Sequence, residues 1–110
     1  MPPSKYADCI ATCNDCAIAC NHCAASCLRE DDVKMMAGCI ANDMDCAAMC
    51  QFAVAAMARD SAHAGAICRL CADVCDACGQ ECGKHSHDHC RDCARACRAC
   101  AQSCRAMAAG

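Results

Sequence analysis

The sequence has few of the side chains from which globular proteins usually build a core. It contains no tryptophan, one phenylalanine and one tyrosine, and only nine of its residues are isoleucine, leucine or valine. A conventional aliphatic or aromatic core is therefore excluded, because such a core needs many large apolar side chains. Alanine and cysteine remain to fill the interior, and nineteen of the 110 residues are cysteine.

The chain also lacks a strong charge of either sign and a long apolar run. Its formal net charge is -3 at pH 7, which gives no electrostatic reason to expect nucleic acid or an anionic membrane as a partner. No stretch of about 20 apolar residues is present, so a membrane-spanning helix is not predicted. Because no apolar signal segment or twin-arginine motif precedes the first cysteine, we expect a cytoplasmic protein.

The cysteines follow a repeat in which spacings of three and four residues alternate. Such a repeat marks the inward face of a helix in a bundle. In a reducing compartment many cysteines indicate metal or redox chemistry rather than disulfides, and buried neutral thiols can fill a core without metal. The candidate ligands are all nineteen: Cys9, Cys13, Cys16, Cys20, Cys23, Cys27, Cys39, Cys46, Cys50, Cys68, Cys71, Cys75, Cys78, Cys82, Cys90, Cys93, Cys97, Cys100 and Cys104.

Interruptions of the repeat predict four helices joined by short connections. Such connections force neighbouring helices to run in opposite directions. We therefore predict an all-α fold, an antiparallel up-down-up-down four-helix bundle with a cysteine-lined core, as a single domain over residues 1–110. The predicted helices, each with its capping residue first, run from Ser4 to about Leu28, from Asp32 to about Arg59, from Asp60-Ser61 to about Gly83, and from Asp88 onward.

The second helix has only three cysteines, and its heptad phase places other groups on the inward stripe. Asp43 would be a buried carboxylate there, which needs a metal or thiol partner unless the helix rotates locally. Methionines on the stripes could be thioether ligands or ordinary gap-filling residues, and these are Met36, Met57 and Met107. The predicted inward stripe of the second helix is Met36, Cys39, Asp43, Cys46, Cys50, Ala53 and Met57.

Four histidines lie close to the predicted thiol stripes. His22, beside Cys23, could complete a site at the core margin or be solvated. The connection before the fourth helix holds three more, which could form the place where metal enters the bundle or could face solvent: His85, His87 and His89.

Eight Cys-x-x-x-Cys pairs give the clearest chemical signal. Side chains four residues apart share one helix face, so two sulfurs about 4.5 Å apart can hold one ion nearly linearly. Soft thiolates suit Cu(I), which accepts two or three sulfurs. Zn²⁺ needs four and would have to recruit them from neighbouring helices, which the cysteine-poor second helix makes harder. The pairs are Cys9/Cys13, Cys16/Cys20, Cys23/Cys27, Cys46/Cys50, Cys71/Cys75, Cys78/Cys82, Cys93/Cys97 and Cys100/Cys104.

Three other functions compete with Cu(I) binding. A zinc or general soft-metal buffer uses the same ligands. A thiol redox protein is suggested by six Cys-x-x-Cys pairs, although the strand-to-helix context of a thioredoxin-like motif is absent. A metallochaperone would carry few ions at an exposed site.

Three motifs carry a resemblance to a known family. They are Cys20-Asn21-His22-Cys23, Cys68-x-x-Cys71-x-x-x-Cys75-x-x-Cys78, and Cys82-Gly83-Lys84-His85-x-His87-Asp88-His89-Cys90. Over essentially its whole length the chain resembles the cytosolic branch of the bacterial copper storage proteins. The resemblance implies a bundle whose cysteines store many Cu(I) ions, no catalytic turnover, and assembly into a homotetramer.

An apolar stripe on the second helix also predicts an oligomer. It lies beside the cysteine stripe, and a neighbouring copy would cover it. Its members are Val33, Ile40, Ala47 and Val54, with Phe52 nearby.

Overall fold

The computed structural model describes the backbone of residues 4–109 and the side chains of residues 5–109. This part of the chain contains helices and no β-strand. Short 3-10 helices, Ser4–Tyr6 and Val33–Met36, precede the first two α-helices. None of the described helices has the length and apolar character needed to span a bilayer. The α-helices are α1 (Ala7–Cys27), α2 (Ala37–Ala58), α3 (Ala64–Cys82) and α4 (Asp88–Ala109).

The four α-helices form a bundle 44 × 22 × 18 Å in extent. α1 packs against α2 and α4, and α3 packs against the same two helices. Because the connections at 28–36, 59–63 and 83–87 are short, successive helices run antiparallel. The predicted all-α four-helix bundle is confirmed. We call the end that carries the 28–36 and 83–87 connections the histidine end.

The first two helices begin after the residues predicted to cap them. α1 starts at Ala7 with Tyr6 as its N-cap residue, and the capping role predicted for the Ser4 side chain lies outside the described residues. Asp32 precedes the 3-10 turn rather than α2, and its side chain caps no backbone N–H. Its carboxylate instead lies 3.3 Å from His87 Nε2. The prediction that Asp32 caps α2 is therefore wrong, because its carboxylate pairs with the His87 ring instead of accepting a backbone N–H.

Asp60 ends α2 instead of starting α3. Its φ is 52°, and its N–H donates to the Met57 carbonyl while that of Ser61 donates to the Ala56 carbonyl. This is the Schellman arrangement, which terminates a helix with one left-handed residue. Ser61 Oγ accepts the N–H of His63 at 3.1 Å, just before α3. Of the two residues predicted to cap α3, Asp60 instead terminates α2, and only Ser61 accepts a hydrogen bond next to the start of α3.

The connection between α3 and α4 follows the prediction more closely. α3 ends at Cys82 with Gly83 as its C-cap residue. Asp88 is the first residue of α4 rather than its N-cap, and its carboxylate accepts a hydrogen bond from Arg91 at 3.4 Å. A negative charge in this first turn still favours the helix through its dipole.

The core is made of cysteine, with alanine beside it. Every cysteine is at most 1% exposed, and all nineteen carry free thiols. Small neighbours let the helices approach closely: a Cβ placed on Gly79 of α3 would lie 3.4 Å from Cys97 Cβ of α4. The inward stripe predicted for α2 is confirmed, because all of its members are 0% exposed: Met36, Cys39, Asp43, Cys46, Cys50, Ala53 and Met57.

The second apolar stripe of α2 is only in part the free surface that the sequence predicts. Ala47 is buried, and Ile40 and Val54 pack against the core of their own chain. Each follows an inward residue by one position, and a bundle helix buries such flanking positions together with its central stripe. The apolar side chains that remain exposed include Val33 and Phe52 from the prediction, together with Ile18, Leu28, Met35, Met44 and Leu70.

Candidate metal-binding core

The thiols form a continuous network along the bundle axis. Every cysteine other than Cys68 has a sulfur contact of 4.0 Å or less with another cysteine. The network extends from Cys9 and Cys104, whose sulfurs are 3.7 Å apart, to Cys27 and Cys90 at the histidine end, at 3.9 Å. An ion that reaches one thiol therefore has others within one step along the interior.

Most of the predicted Cys-x-x-x-Cys pairs bring their two sulfurs into contact. Six of the eight have sulfurs 3.8 to 4.0 Å apart: Cys16/Cys20, Cys23/Cys27, Cys71/Cys75, Cys78/Cys82, Cys93/Cys97 and Cys100/Cys104. The other two pairs share a third sulfur. Cys104 lies 3.7 Å from Cys9 and 3.6 Å from Cys13, and Cys75 of α3 similarly contacts both Cys46 at 3.5 Å and Cys50 at 3.8 Å.

Contacts between helices are as close as those within a helix. The shortest joins Cys39 of α2 to Cys82 of α3 at 3.1 Å. Several groups of four sulfurs lie within 4.8 Å of one another, for example Cys16, Cys20, Cys46 and Cys97 from three helices. The expectation that a cysteine-poor second helix would hinder four-thiolate sites is therefore wrong, because α2 places its few cysteines in register with those of its neighbours.

Asp43 lies inside the thiol network near the histidine end. Its Oδ1 accepts S–H bonds from Cys78, Cys82 and Cys93 at 3.2 Å each, and Cys39 approaches Oδ2 at 3.7 Å. Burial raises the pKa of Asp43 to about 8, because a desolvated carboxylate is disfavoured. Of the alternatives that the sequence left open for this carboxylate, namely a metal partner, a thiol partner or local rotation of the helix, the structure shows thiol partners.

His89 connects the thiol network to the surface. Its Nδ1 lies 3.5 Å from Cys23, 3.9 Å from Cys27 and 3.6 Å from Cys90. Its Nε2 lies 2.7 Å from Glu30 Oε2. The side chain is 13% exposed, so His89 is the histidine that both the thiols and solvent can reach.

The remaining predicted residues are placed less centrally. His22 is on the exposed side of α1, and His85 pairs with Glu81 at 3.1 Å, whereas His87 faces Glu30 and Asp32. Met107 is partly buried against the opposite end of the core. Contact with the thiols therefore distinguishes His89 from the other candidate histidines. The arginines of α4 form an exposed face: Arg91, Arg95, Arg98 and Arg105.

The sequence interpretation missed Glu30 and Asp32. Both lie in the 28–36 connection, and both contact histidines of the 83–87 connection or of the first turn of α4. The predicted topology could have indicated these contacts, because an up-down-up-down bundle brings its first and third connections to the same end.

Burial favours neutral thiols in the metal-free protein. It raises the pKa of Cys27 and of Cys68 to about 11, and it also raises that of Cys90. Metal binding needs thiolates, so each bound ion must displace protons.

The network predicts that cysteines differ in their importance for metal capacity. Cys20 contacts Cys16, Cys78 and Cys97 at 3.8 to 4.0 Å, whereas Cys68 interacts more weakly, with Cys9 and Cys104 at one end of the network. We expect Cys20→Ala to lower the number of Cu(I) ions bound at saturation more than Cys68→Ala does. The two changes remove the same fully buried atom, so their effects on apoprotein stability should be similar. Equal losses of capacity, measured by anaerobic titration, would contradict the network.

Met57 tests whether the inward methionines only fill space. Its side chain is 0% exposed, so Met57→Ala should lower the free energy of unfolding of the metal-free protein by about 2–5 kcal/mol. Met57→Leu keeps the volume and should cost less than about 1.5 kcal/mol. Denaturant titration measures both effects. If the thioether is not a ligand, Met57→Leu also retains the full Cu(I) capacity, and a lost ion would identify it as one.

The four-helix fold and its lining of free, closely spaced thiols place this protein in the class of metal-binding helical bundles. The sequence profile of the copper storage proteins matches residues 3–109. The chain therefore belongs to the copper storage protein family, as its resemblance predicted.

Solved structures agree in fold and in most of their length. The chain is 53% identical to the apo form of copper storage protein 3 of Bacillus subtilis, with 94% of this chain and 98% of that chain covered and a TM-score of 0.90. For the Cu(I)-bound copper storage protein BsCsp3 the identity is 52%, the coverage 96% and 99%, and the TM-score 0.92. For a cytosolic copper storage protein of Streptomyces lividans with five coppers, the identity is 44%, the coverage is 96% of this chain and 93% of that chain, and the TM-score is 0.93.

A curated cysteine-rich protein of Bacillus subtilis matches a shorter stretch. It is 55% identical over 54 residues, which make up 49% of this chain and 50% of that protein. The match thus spans about half the length of this relative.

Proposed function

We propose that this chain stores many Cu(I) ions in its thiol core, as a cytoplasmic protein without catalytic turnover. The observation that carries the proposal is the buried network of sulfurs 3.1 to 4.0 Å apart, in a chain of the copper storage family. Soft thiolates suit Cu(I), and sulfurs this close can bridge ions as well as bind them singly. The Cu(I)-bound relative shares 52% of its residues with this chain.

His89 is the proposed first ligand for incoming copper. It has the partial exposure needed to meet a Cu(I) donor, and its Nδ1 faces Cys23 at 3.5 Å. Copper bound there can pass to Cys23, Cys27 and Cys90 and then deeper along the network. Asp43 can serve as an oxygen ligand or hydrogen-bond acceptor among the thiols further in.

Zinc storage is the second candidate, and the four-sulfur groups within 4.8 Å favour it. Metal analysis of protein expressed with copper and zinc both supplied separates the two. We expect the purified protein to carry several copper ions per chain and little zinc. Zinc as the dominant metal, with no state rich in copper, would overturn the copper proposal.

We further propose that residues 1–110 form one storage domain and that four chains assemble. Exposed apolar side chains on α1 and α2 supply a surface that other copies can cover, for example Ile18, Met44 and Phe52. Light scattering should give the mass of four chains of 11.5 kDa each. A mass of one chain at micromolar concentration would refute the assembly and leave the copper proposal intact.

A further inference from the structure

Two imidazoles and two carboxylates meet on the outer side of the histidine end. His89 Nε2 lies 2.7 Å from Glu30 Oε2, and His87 Nδ1 lies 3.3 Å from the same oxygen. His87 Nε2 lies 3.3 Å from Asp32 Oδ1. These side chains are between 13% and 46% exposed, so ions in solution can reach them. We call Glu30, Asp32, His87 and His89 the outer cluster.

The geometry of the outer cluster suits a divalent ion. A tetrahedral ion with bonds of about 2.0 to 2.1 Å holds its ligand atoms about 3.3 Å apart, and Glu30 Oε2 and His87 Nδ1 are separated by 3.3 Å. The rings of His87 and His89 are stacked within 5° at a centroid distance of 5.3 Å, which keeps a nitrogen of each near that oxygen. Because imidazole binds a metal in its own ring plane, one of the two stacked rings must turn for both nitrogens to reach one ion.

We propose that Glu30, His87 and His89 form a second metal site, with Asp32 beside it, that binds a divalent ion such as Zn²⁺. Imidazole nitrogen with carboxylate oxygen is a ligand set for zinc, whereas Cu(I) prefers sulfur. The site is thus chemically distinct from the thiol core. It lies on the solvent side of His89, with the thiols on the other side of the same ring.

Because His89 belongs to both sites, the outer ion and the stored copper compete for it. A neutral imidazole has one lone pair and one N–H. An ion on Nε2 therefore leaves Nδ1 protonated, as an N–H donor towards Cys23. A protonated Nδ1 cannot ligate copper. Zinc in the outer site slows Cu(I) uptake through the histidine end. This consequence rests on the proposed storage function, whereas the existence of the outer site does not.

Imidazole ¹⁵N NMR during a Zn²⁺ titration of the full-length chain tests the site itself. The His87 ring contacts Glu30 and Asp32, so its resonances report on the outer cluster whatever metal the thiols hold. We expect them to shift and saturate in metal-free protein, and to need more Zn²⁺ in Cu(I)-loaded protein, where copper on His89 Nδ1 leaves Nε2 as an N–H. Glu30→Gln, which keeps the side-chain shape, should weaken this binding by about tenfold or more.

His63→Ala is the matched control, since it removes an exposed histidine from the opposite end of the bundle. It should leave the Zn²⁺ response of His87 unchanged. Unshifted His87 resonances after Zn²⁺ exceeds what the thiols take up, or Glu30→Gln protein whose His87 responds to Zn²⁺ as tightly as in the wild type, would overturn the site.

Stopped-flow uptake of Cu(I) from a chelator, with and without Zn²⁺, tests the competition. We expect zinc to slow uptake several-fold in the wild type and to have no effect in Glu30→Gln protein. Equal slowing in both proteins, or none in either, would overturn the competition. Failure of the wild type to take up copper without zinc would instead refute the storage function, and the NMR result would still decide the outer site.

Discussion

Asp43→Asn is expected to flatten the pH dependence of stability in the metal-free protein. Burial raises the pKa of Asp43 from 3.8 to about 8. At intermediate pH the unfolded chain ionises this carboxyl while the folded chain must keep it protonated, so wild-type stability is full below pH 3.8 and falls as the pH rises through about 8. The loss over this range is on the order of 5 kcal/mol. Asparagine does not titrate, and it retains a carbonyl oxygen for the S–H donors.

Denaturant titrations under anaerobic, reducing conditions at several pH values in this range measure the effect. Asp45→Asn is the matched control, because it removes an exposed carboxylate from the same helix. We expect the control to follow the wild type and Asp43→Asn to be the more stable protein at the upper end of the range. Parallel pH profiles for wild type and Asp43→Asn would show that Asp43 ionises normally inside the core.

Cu(I) affinity is expected to fall steeply as the pH is lowered. Burial raises the pKa of Cys27 and Cys68 to about 11, so these thiols keep their protons at neutral pH. Copper must displace those protons, and each released proton makes affinity tenfold weaker per pH unit of acidification. A site of two thiolates should weaken by about a hundredfold per pH unit.

Competition with a Cu(I) chelator at several pH values, corrected for the chelator's own protonation, measures this slope. Proton release in unbuffered solution gives an independent value, about two protons for each ion held by two unshared thiolates. Affinity that does not change with pH, together with no released protons, would mean that the thiols are already ionised before copper binds. The same raised pKa values predict that the metal-free fold weakens in alkali, as the pH rises from 9.0 through about 11.

The phase of the cysteine repeat was enough to predict the bundle and its lining. Even in α2, where cysteines are few, the phase identified Asp43 and Met57 as inward residues, because the helical period alone fixes which face a residue occupies. The same reasoning required a metal or thiol partner for the inward carboxylate unless the helix rotated locally, and the structure supplies thiols. Family resemblance then supplied the metal, which spacing alone left open between copper and zinc.

Features that depend on tertiary contact were not predictable from spacing. Asp32 faces His87 rather than a helix terminus; the bundle topology brings their two connections together, but the spacing of residues along the chain does not specify which side chains meet. The close contact between Cys39 and Cys82 depends on the register of α2 against α3, which a pattern within one helix does not encode. For the same reason the sequence suggested linear pairs, whereas the structure offers groups of sulfurs from several helices.

Anaerobic titration of the metal-free chain with Cu(I), against a competing chelator, tests the storage function most directly. Nineteen thiols used two at a time provide about nine sites, and bridging sulfurs raise that number. We expect tight binding to continue to about nine or more ions per chain. Saturation at one or two ions would contradict storage and would indicate a chaperone or a redox protein.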